Sequence, residues 1–448
     1  MSVVRKVFDD YPNEVVFATA AAVRILLALA FPELPDILTG RVEISTPVSS
    51  FKRLHEGLFL YQRGLDPYDG GIFYQAPLFL SLFSFVPSPT PWVGRFLSVL
   101  LFTSIDLFSA RCLLHIAESK AATICFNYES PRQMRSWRPL SVAAIYLFNP
   151  YTTLACLGRP TSAFAVAFVL LSIDHACQAK SLTSAFALAT AAYVSVHPAL
   201  LLPPIGLLCY ERLCYRQSCV HGTKRTGVAP DHHPGPAAVL FASRFIGVFF
   251  SGLAFLLVLS RLIISSWQFL PSVYLTPLQL PDLTPNVGLW WYFFIEMFDP
   301  FRSFFLGVFW LHMLSYSAPL CLRLKNQPLA AVILMMGVVA IFEPYANAGD
   351  IGAWLSALCL LSHVFELSAA NRYPFFSLAA VFYCTLLGPA FHHLWIYSGS
   401  GNANFFYAIT LTWNLAHLIV LTDTLYSVLR DEWERERPEG KLKEVKQI

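Results

Sequence analysis

Apolar runs close to membrane-span length alternate with short polar connections from the first hundred residues of the chain to the last. A helix that crosses a hydrocarbon core of about 30 Å needs about 20 apolar residues. Segments 15–31, 94–116, 140–157, 162–177, 182–196, 198–210, 245–264, 301–322, 328–342, 351–367, 374–396 and 405–429 approach that requirement. The pattern predicts an all-α, polytopic membrane helical bundle of about 12 spans, because only backbone that satisfies its own hydrogen bonds can cross lipid. Proline interrupts it at Asn149-Pro150 and His197-Pro198, where kinks or breaks are expected.

Three stretches depart from the alternation. Residues 32–93 combine the turn cluster Asp66-Pro67-Tyr68-Asp69-Gly70-Gly71 with an apolar segment, 77–86, too short to span, and they read as an interfacial or re-entrant region. Within it Ser49 or Ser50 can cap a helix whose apolar positions Phe51, Leu54, Leu58 and Tyr61 share one face, which suits the membrane surface. Residues 211–244 are basic and rich in Pro and Gly, the composition of a loop. Residues 265–300 hold the most punctuated stretch, from Pro281 through Trp290-Trp291-Tyr292-Phe293-Phe294 to Asp299-Pro300. Its aromatic residues suit a membrane interface and its prolines argue against an ordinary span.

Charge supplies the orientation. Lys and Arg in the connections after 116, 210, 322 and 367, and in the charged tail 430–448, all fall on one side of the twelve-span arrangement. The positive-inside rule makes that side cytoplasmic, with both termini on it, and makes 32–93 and 265–300 lumenal. Composition agrees with a membrane protein, since 56% of the 448 residues are hydrophobic and 13% are charged, with a mean hydropathy of +0.54. Soluble domains carry about 25% charged residues. The chain reads as a single membrane domain over 1–448, and a net charge of +3 gives no reason to expect a nucleic-acid partner.

Candidate chemistry is sparse inside the spans. Arg24, Asp106, Asp174 and His175 sit in apolar surroundings, where pairing between helices accounts for them, and no span carries the series of ionisable groups that a proton relay needs. The ten cysteines mostly fall in apolar runs and read as small buried hydrophobes. Cys209, Cys214 and Cys219 beside His221, and the His232-His233 pair, lack metal-ligand spacing, so no metal and no cofactor is expected.

The lumenal side is richer. Glu43, Asp66, Asp69, Asp282, Glu296, Asp299, Glu343 and Asp350 gather there with Asn286, Asn347, Asn402 and Asn404 and many aromatic residues. Amides and carboxylates meet sugar hydroxyls and amines, and aromatic rings hold acyl chains, so the mixture suits a glycolipid. Helix capping and turn closure account for the same residues equally well. Two function classes follow: a lipid-dependent glycosyltransferase whose base would be Glu43, Asp66 or Asp69, and a non-catalytic subunit that binds a glycolipid or a partner.

The segment from Asp282-Leu283-Thr284-Pro285-Asn286 through Glu296-Met297-Phe298 closely resembles a signature of the U subunit of glycosylphosphatidylinositol (GPI) transamidase, the PIG-U family. Residues 41–60, the Leu147-Phe148-Asn149-Pro150-Tyr151-Thr152 block and residues 393–414 are similar to that family in the same order. The resemblance implies a multi-pass subunit of an endoplasmic reticulum complex that removes a C-terminal signal from a proprotein and attaches a preassembled GPI. It implies that the catalytic cysteine and histidine belong to another, protease-like subunit. It also implies a fold similar to polytopic lipid-dependent glycosyltransferases, with short lumenal interfacial helices, used here to hold the lipid. The alternative on the same fold is a GPI-pathway mannosyltransferase using a lumenal carboxylate.

On this reading the lumenal ends of the late spans line a groove for GPI, among membrane lipids and beside the other transamidase subunits. Asn402, Asn404, Ser398, Asn286 and Tyr397 are expected at the polar head, and Trp290, Phe293, Phe405 and Phe406 at the acyl or interfacial wall. A groove of this kind also suits the hydrophobic signal of the proprotein, so two occupants stand open.

Overall fold

The computed structural model describes residues 12–86, 92–221 and 235–439, and among them there is no β-strand. In chain order the helices are α1 (Pro12–Ala30), α2 (Leu34–Thr39), α3 (Phe51–Gln62), α4 (Leu78–Ser84), α5 (Trp92–Glu118), α6 (Pro139–Phe148) and α7 (Pro150–Gly158). They continue with α8 (Ser162–Cys177), α9 (Ser181–Val194), α10 (Leu202–His221), α11 (Pro236–Ile264), α12 (Thr276–Gln279), α13 (Trp290–Ile295) and α14 (Asp299–Arg323). The last are α15 (Pro328–Phe342), α16 (Ala348–Leu358), α17 (Phe365–Ala369), α18 (Pro374–Ile396) and α19 (Ala403–Glu436).

Each expected span coincides with a helix, although length and composition alone qualify fewer of them. Seven helices among the described residues are long and apolar enough to cross a membrane, or eight if α6 and α7, bent by 54°, form one broken span. Helices α8, α9 and α15 are apolar but shorter, at 16, 14 and 15 residues. The break between α6 and α7 falls at Asn149-Pro150, where proline withholds its amide. Asn149 Oδ1 caps the new helix by accepting from Tyr151 N (2.9 Å), and its Nδ2 donates to Gly352 O at 3.2 Å. The kink is thus both capped and tied to α16.

Helix α15 is the axis of the bundle. Every residue from Pro328 to Val338 is buried, and α10, α14, α16 and α19 pack around it. A helix that is apolar on all sides is stable only where neighbours cover all sides. The outer helices show the opposite distribution: α11, α14 and α18 expose Phe255, Leu262, Phe304, Leu311, Phe375 and Phe382. Such surfaces suit lipid tails or partner helices. Between the outer α1 and α5, Arg24 pairs with Asp106 deep in the apolar layer, which is the interhelical pairing expected for these two residues. Asp174 Oδ1 accepts from Gln178 Nε2 at 2.7 Å and lies beside His115, another pairing within the bundle.

The region between α1 and α5 forms as its local signals require. Ser50 Oγ accepts from Arg53 N and starts α3, whose Phe51, Leu54 and Leu58 are buried while Tyr61 is half-buried. These residues pack with Phe79, Leu80 and Phe83 of α4 and with Phe102 of α5, so the apolar face meets protein.

Two expectations require correction. The basic loop expected over 211–244 is helical at both ends, because α10 continues to His221 and α11 begins at Pro236. Arg212 Nη1 donates to Ile124 O at 2.8 Å and Glu211 accepts from Phe126 N, so the extension of α10 is held by the connection after α5. The Asp231-His232-His233 cluster lies outside the described residues. The charged tail expected from 430 is likewise helical through Glu436. Its Asp431 is fully buried and accepts from Ser130 Oγ (2.6 Å), Arg132 Nη1 (2.7 Å) and the Tyr128 hydroxyl, while Glu432 pairs with Arg323 at 2.7 Å. With 34 residues, α19 is about 50 Å long at 1.5 Å per residue, well beyond a hydrocarbon core. Its last turns therefore dock on the basic connections. Both chain termini, including Arg5, Lys6 and Lys441, lie outside the described residues.

Candidate functional site

The stretch that opens at Pro281 runs without helix between α12 and α13, exposed at Pro281 and buried over residues 286–288. Non-helical backbone without water must find its hydrogen-bond partners in the protein. Here the donors come from five side chains. Arg302 Nη2 donates to Leu280 O (2.6 Å), the Tyr345 hydroxyl to Asp282 O (2.8 Å) and Asn286 Nδ2 to Thr284 O (3.3 Å). Asn414 Nδ2 donates to Val287 O (2.7 Å) and the Tyr407 hydroxyl to Leu289 O (2.8 Å). Amides are served locally, with Thr284 N bonded to Asp282 Oδ1 (3.0 Å) and Gly288 N to Asn286 Oδ1 (2.7 Å). Gly288 is required sterically, since a Cβ there would meet Asn286 Oδ1 at 2.8 Å and Ala346 at 3.1 Å.

Asp282 has a second role. Its Oδ2 pairs with Arg53 Nη1 at 2.8 Å, joining the segment to α3. Burial works against its charge, but the Thr284 hydroxyl and amide and the Arg53 guanidinium outweigh that penalty and hold the carboxyl below the ordinary carboxylate range.

The segment delivers α13 against two neighbours. Trp290 and Phe293 face α14, where their rings meet Phe309 at 4.9 Å each, and Trp290 Nε1 donates to Phe342 O (2.6 Å). Trp291 and Tyr292 face α18 and α19 instead. Trp291 stacks on Trp395 at 6.1 Å, Tyr292 lies 4.7 Å from the Tyr407 ring, and the Tyr292 hydroxyl bonds Asn404 Oδ1. The residues of α13 that meet the 397–404 turn are therefore Trp291 and Tyr292, which sequence reasoning had not selected. Their position in the same aromatic run was visible; which face of so short a helix meets the turn was not.

The other expected site residues divide by exposure. Tyr397 (67% exposed), Ser398 and Phe405 (54%) stand open on or beside the turn that joins α18 to α19. Asn402 Oδ1 caps α19 by accepting from Phe405 N at 3.2 Å, so it has a structural task as well as a place on that turn. Phe406 is fully buried against Trp291, His392 and Trp395. Asn286 is fully buried too, and its amide is spent on Thr284 O, Pro344 O and Gly288 N. It fixes the wall and presents no free polar atom to a head group.

Beside Tyr397 opens a cavity of about 590 Å³, lined by Glu33, Asp36, Arg41, Lys52, His393 and Tyr397 together with Ile37 and Gly40. The His393 and Tyr397 rings stack at 5.3 Å and form one side of it. Of the expected site residues, Tyr397 alone lines this cavity; Glu33, Asp36, Lys52 and His393 were missed. The lining is mostly polar and charged, with apolar side chains such as Ile37 and Leu394 exposed. A second cavity, about 430 Å³, lies between α3 and the following turn, lined by His55, Phe59, Leu60, Asp69, Ile72 and Phe73 among others.

The carboxylates weighed as a catalytic base are differently placed. Both oxygens of Glu43 are taken by Arg41, through Nε at 3.0 Å and Nη2 at 2.7 Å. Asp66 Oδ1 accepts from Tyr68 N at 2.9 Å and closes a turn. Asp69 is exposed on the second cavity. Glu343 is buried with its Oε2 3.5 Å from His197 Nδ1; burial first, and the charge of Asp350 second, raise its carboxyl well above the ordinary range. Asp350 is held by Asn347 Nδ2 at 2.6 Å. Glu296 is exposed at the end of α13. Among the described residues no group of three or more His, Cys, Asp or Glu side chains is placed to hold a metal ion.

Comparison with known proteins adds family information to this geometry. Residues 18–413 match the sequence profile described as "GPI transamidase subunit PIG-U". The chain is 34% identical over 427 residues to the human protein named "GPI-anchor transamidase component PIGU", covering 93% of this chain and 94% of that one. It is 33% identical over 429 residues to "GPI transamidase component GAB1" of Saccharomyces cerevisiae, covering 94% and 96% respectively. A Schizosaccharomyces pombe homologue of the latter is similar at 33% identity, with 94% of each chain covered.

Proposed function

The chain belongs to the PIG-U family of GPI transamidase subunits, and from that premise we propose that it holds the GPI glycolipid at the end of α18 and supports its transfer to the C-terminus of proproteins. It acts as a non-catalytic subunit, in the endoplasmic reticulum membrane with both termini cytoplasmic, and the bond-forming cysteine and histidine lie in a protease-like partner chain. The carrying observation is the charged cavity of about 590 Å³ that opens beside the exposed Tyr397, on a turn locked to α13 through Tyr292 and Asn404. A polar and charged lining beside exposed apolar side chains suits a glycolipid whose head and chains differ in character. Holding that lipid in a fixed orientation contributes to rate without chemistry from this chain, because positioning converts an encounter into an effectively unimolecular step. The mannosyltransferase reading is not favoured, since the family profile and the similar proteins are all named as GPI transamidase components; Glu43 is moreover engaged by Arg41 and Asp66 closes a turn, which leaves Asp69 alone exposed on a cavity.

The test uses the exposed residues. Tyr397→Ala combined with Ser398→Ala is expected to weaken GPI transfer by the purified complex while all subunits still co-purify. Normal transfer at limiting GPI would overturn the assignment. The Asn402→Ala, Asn404→Ala pair should weaken transfer as well, but it also removes a helix cap worth about 1 kcal/mol, so its thermal stability must be measured beside its activity. A photocrosslinker at Phe405 separates the occupants: labelled glycolipid supports the reading, and labelled proprotein signal peptide replaces it.

A further inference from the structure

Exposed apolar side chains on the long outer helices have lipid to cover them, but a second group stands on an element that lipid tails do not cover. Phe59, Leu65 and Ile72, on α3 and the turn after it, are each more than half exposed. Helix α3 is 12 residues long and carries Lys52, Arg53 and Glu56, with Arg63 at its C-terminal end, so it does not sit among acyl chains. Phe59 and Ile72 also line the cavity of about 430 Å³ between α3 and the following turn. An apolar cavity open on a charged, non-spanning element marks an interaction site.

The walls of that cavity are fixed within the protein. Arg53 Nη1 donates to Ile72 O (3.3 Å) and pairs with Asp282, the Tyr68 hydroxyl donates to Gln75 O (2.7 Å), and a Cβ at Gly57 would meet the Phe73 ring at 2.7 Å. Its charge is not balanced in the same way. Glu56 and Asp69, both exposed and both lining the cavity, form no ion pair and no side-chain hydrogen bond among the described residues. Of the nearby cations, Arg53 is engaged by Asp282, and Arg63 lies 4.0 Å over the Phe59 ring, a contact that shows this ring accepting a cation. His55 is the remaining polar side chain of the lining, and its Nε2 is buried without a hydrogen-bond partner among the described residues. Burial first, and the Arg159 guanidinium second, push the imidazole down to about 4, so it stays neutral and does not balance the carboxylates.

Two unpaired carboxylates around an otherwise apolar cavity repel an anionic lipid surface and gain nothing from a purely apolar chain. They match a cation on an apolar stem. We propose that this cavity docks another subunit of the complex through a segment in which a lysine or arginine is flanked by apolar side chains, with Glu56 and Asp69 pairing the cation and Phe59, Ile72 and Phe73 holding the stem and its neighbours. Long basic side chains lay their methylenes along apolar surface while the charged head reaches its partners. Because Arg53 ties the cavity wall to Asp282, the docked subunit bears on the segment that delivers α13. The interface uses none of the residues around Tyr397 and does not rest on the lipid-holding role.

The experiment uses the intact complex purified in mild detergent, with a photocrosslinking residue at Ile72. The expected product joins this chain to a segment of another subunit that contains a lysine or arginine, located by mass spectrometry of the crosslinked peptides. Its yield should fall as salt rises from about 0.05 M to about 0.5 M, because exposed pairs are screened. Glu56→Gln with Asp69→Asn should lower the yield at low salt roughly two- to tenfold, the range for one or two exposed ion pairs, and remove its salt dependence. Glu56→Lys should suppress the product further, and reversing the mapped partner cation to glutamate in the same complex should restore it, a recovery that a merely structural role would not give.

Crosslinks to lipid alone, or to a partner segment without a cation, would overturn the proposal. So would a yield unchanged in the double amide variant, or a charge-reversed pair that fails to recover. Hydrogen exchange over 66–75 equal to that of the wild type shows that the cavity wall survives the substitutions. If an amide variant loosens that wall, the wild-type salt series still decides, since a yield that does not fall with salt removes the role of the carboxylates by itself.

Discussion

Replacing Asn414 with leucine tests whether the extended segment before α13 is held by the side-chain donors around it. Asn414 is 2% exposed, and its Nδ2 donates to Val287 O at 2.7 Å. Leucine keeps roughly the same bulk but leaves that carbonyl without its donor in an apolar setting, which costs about 1–3 kcal/mol. Part of this is offset, since Asn414 Oδ1 is itself buried without a hydrogen-bond partner among the described residues, and the substitution removes it. The net expectation is about 1–2 kcal/mol, or about a 5- to 30-fold rise in the local opening constant. Hydrogen exchange by mass spectrometry on peptides covering 280–289 measures it, with the Thr284 and Gly288 amides as reporters because their acceptors lie within the same segment. Tyr345→Phe, which removes the donor to Asp282 O, should act on the same peptides by about 1 kcal/mol. Unchanged exchange over 280–289 in both variants would refute the reasoning. Faster exchange confined to α19 would refute it too, by showing that Asn414 supports its own helix and not the segment.

Two further outcomes follow from the charged contacts. Because the Asp282 carboxyl is held below its unfolded value of about 3.9, its contribution is complete above that pH and is lost as pH falls through the folded value. The thermal stability of the purified protein should therefore show no pH dependence from Asp282 between about pH 5 and 8, where its contribution is complete, and a loss below about pH 4, and Asp282→Asn should abolish that acid-side loss. Asp431→Ala removes the buried acceptor shared by Tyr128, Ser130 and Arg132, and the loss should approach the 3–5 kcal/mol typical of a broken buried ion pair. Limited proteolysis after α19, compared with an exposed control such as Glu436→Ala, would show whether the end of the helix has come loose.

Features with local causes were readable in the sequence. The Ser50 cap, the apolar face of α3 and the break at Asn149-Pro150 each depend on residues within one or two turns and each forms at the expected residues, although the face of α3 meets α4 and α5 where a membrane surface was expected. The supports of the extended segment are different in kind: the donors Tyr345, Tyr407 and Asn414 lie 63, 118 and 127 residues from the carbonyls they serve. No pattern along the chain announces such pairs. The tail misled for the same reason, since Asp431, Glu432 and Glu434 look solvated until Arg132 and Arg323 are brought against them from distant connections. In α13, six residues long, a rotation of one position decides whether Trp290 or Trp291 meets the turn, and an all-aromatic run has no polar residue to fix that choice. Around the cavity, sequence shows five charged residues from Glu33 to Lys52 that look alike. Only the positions of Arg159, Arg95 and Glu43 reveal that Asp36 and Arg41 are engaged while Glu33 and Lys52 are free.

The hydrogen bonds that satisfy the extended segment also position the turn at which we propose the lipid is held. Satisfying Leu289 O and Val287 O requires Tyr407 and Asn414, which places the first turns of α19 against α13; Trp291 then stacks on Trp395 and fixes the end of α18. The 397–404 turn is thus positioned largely from elsewhere; among its exposed residues Asn402 caps α19 and Asn404 bonds Tyr292, while Tyr397 and Ser398 stand open. The opposite side of the cavity is anchored independently, through Arg159 to Asp36 and through Ala348 N to Glu43 O at 2.8 Å. Two loops remote in sequence therefore face each other across a gap that neither closes. A subunit without a nucleophile can contribute to transfer in this way: the scaffold absorbs the cost of irregular backbone, and the charges left over on the rim are those available to a ligand.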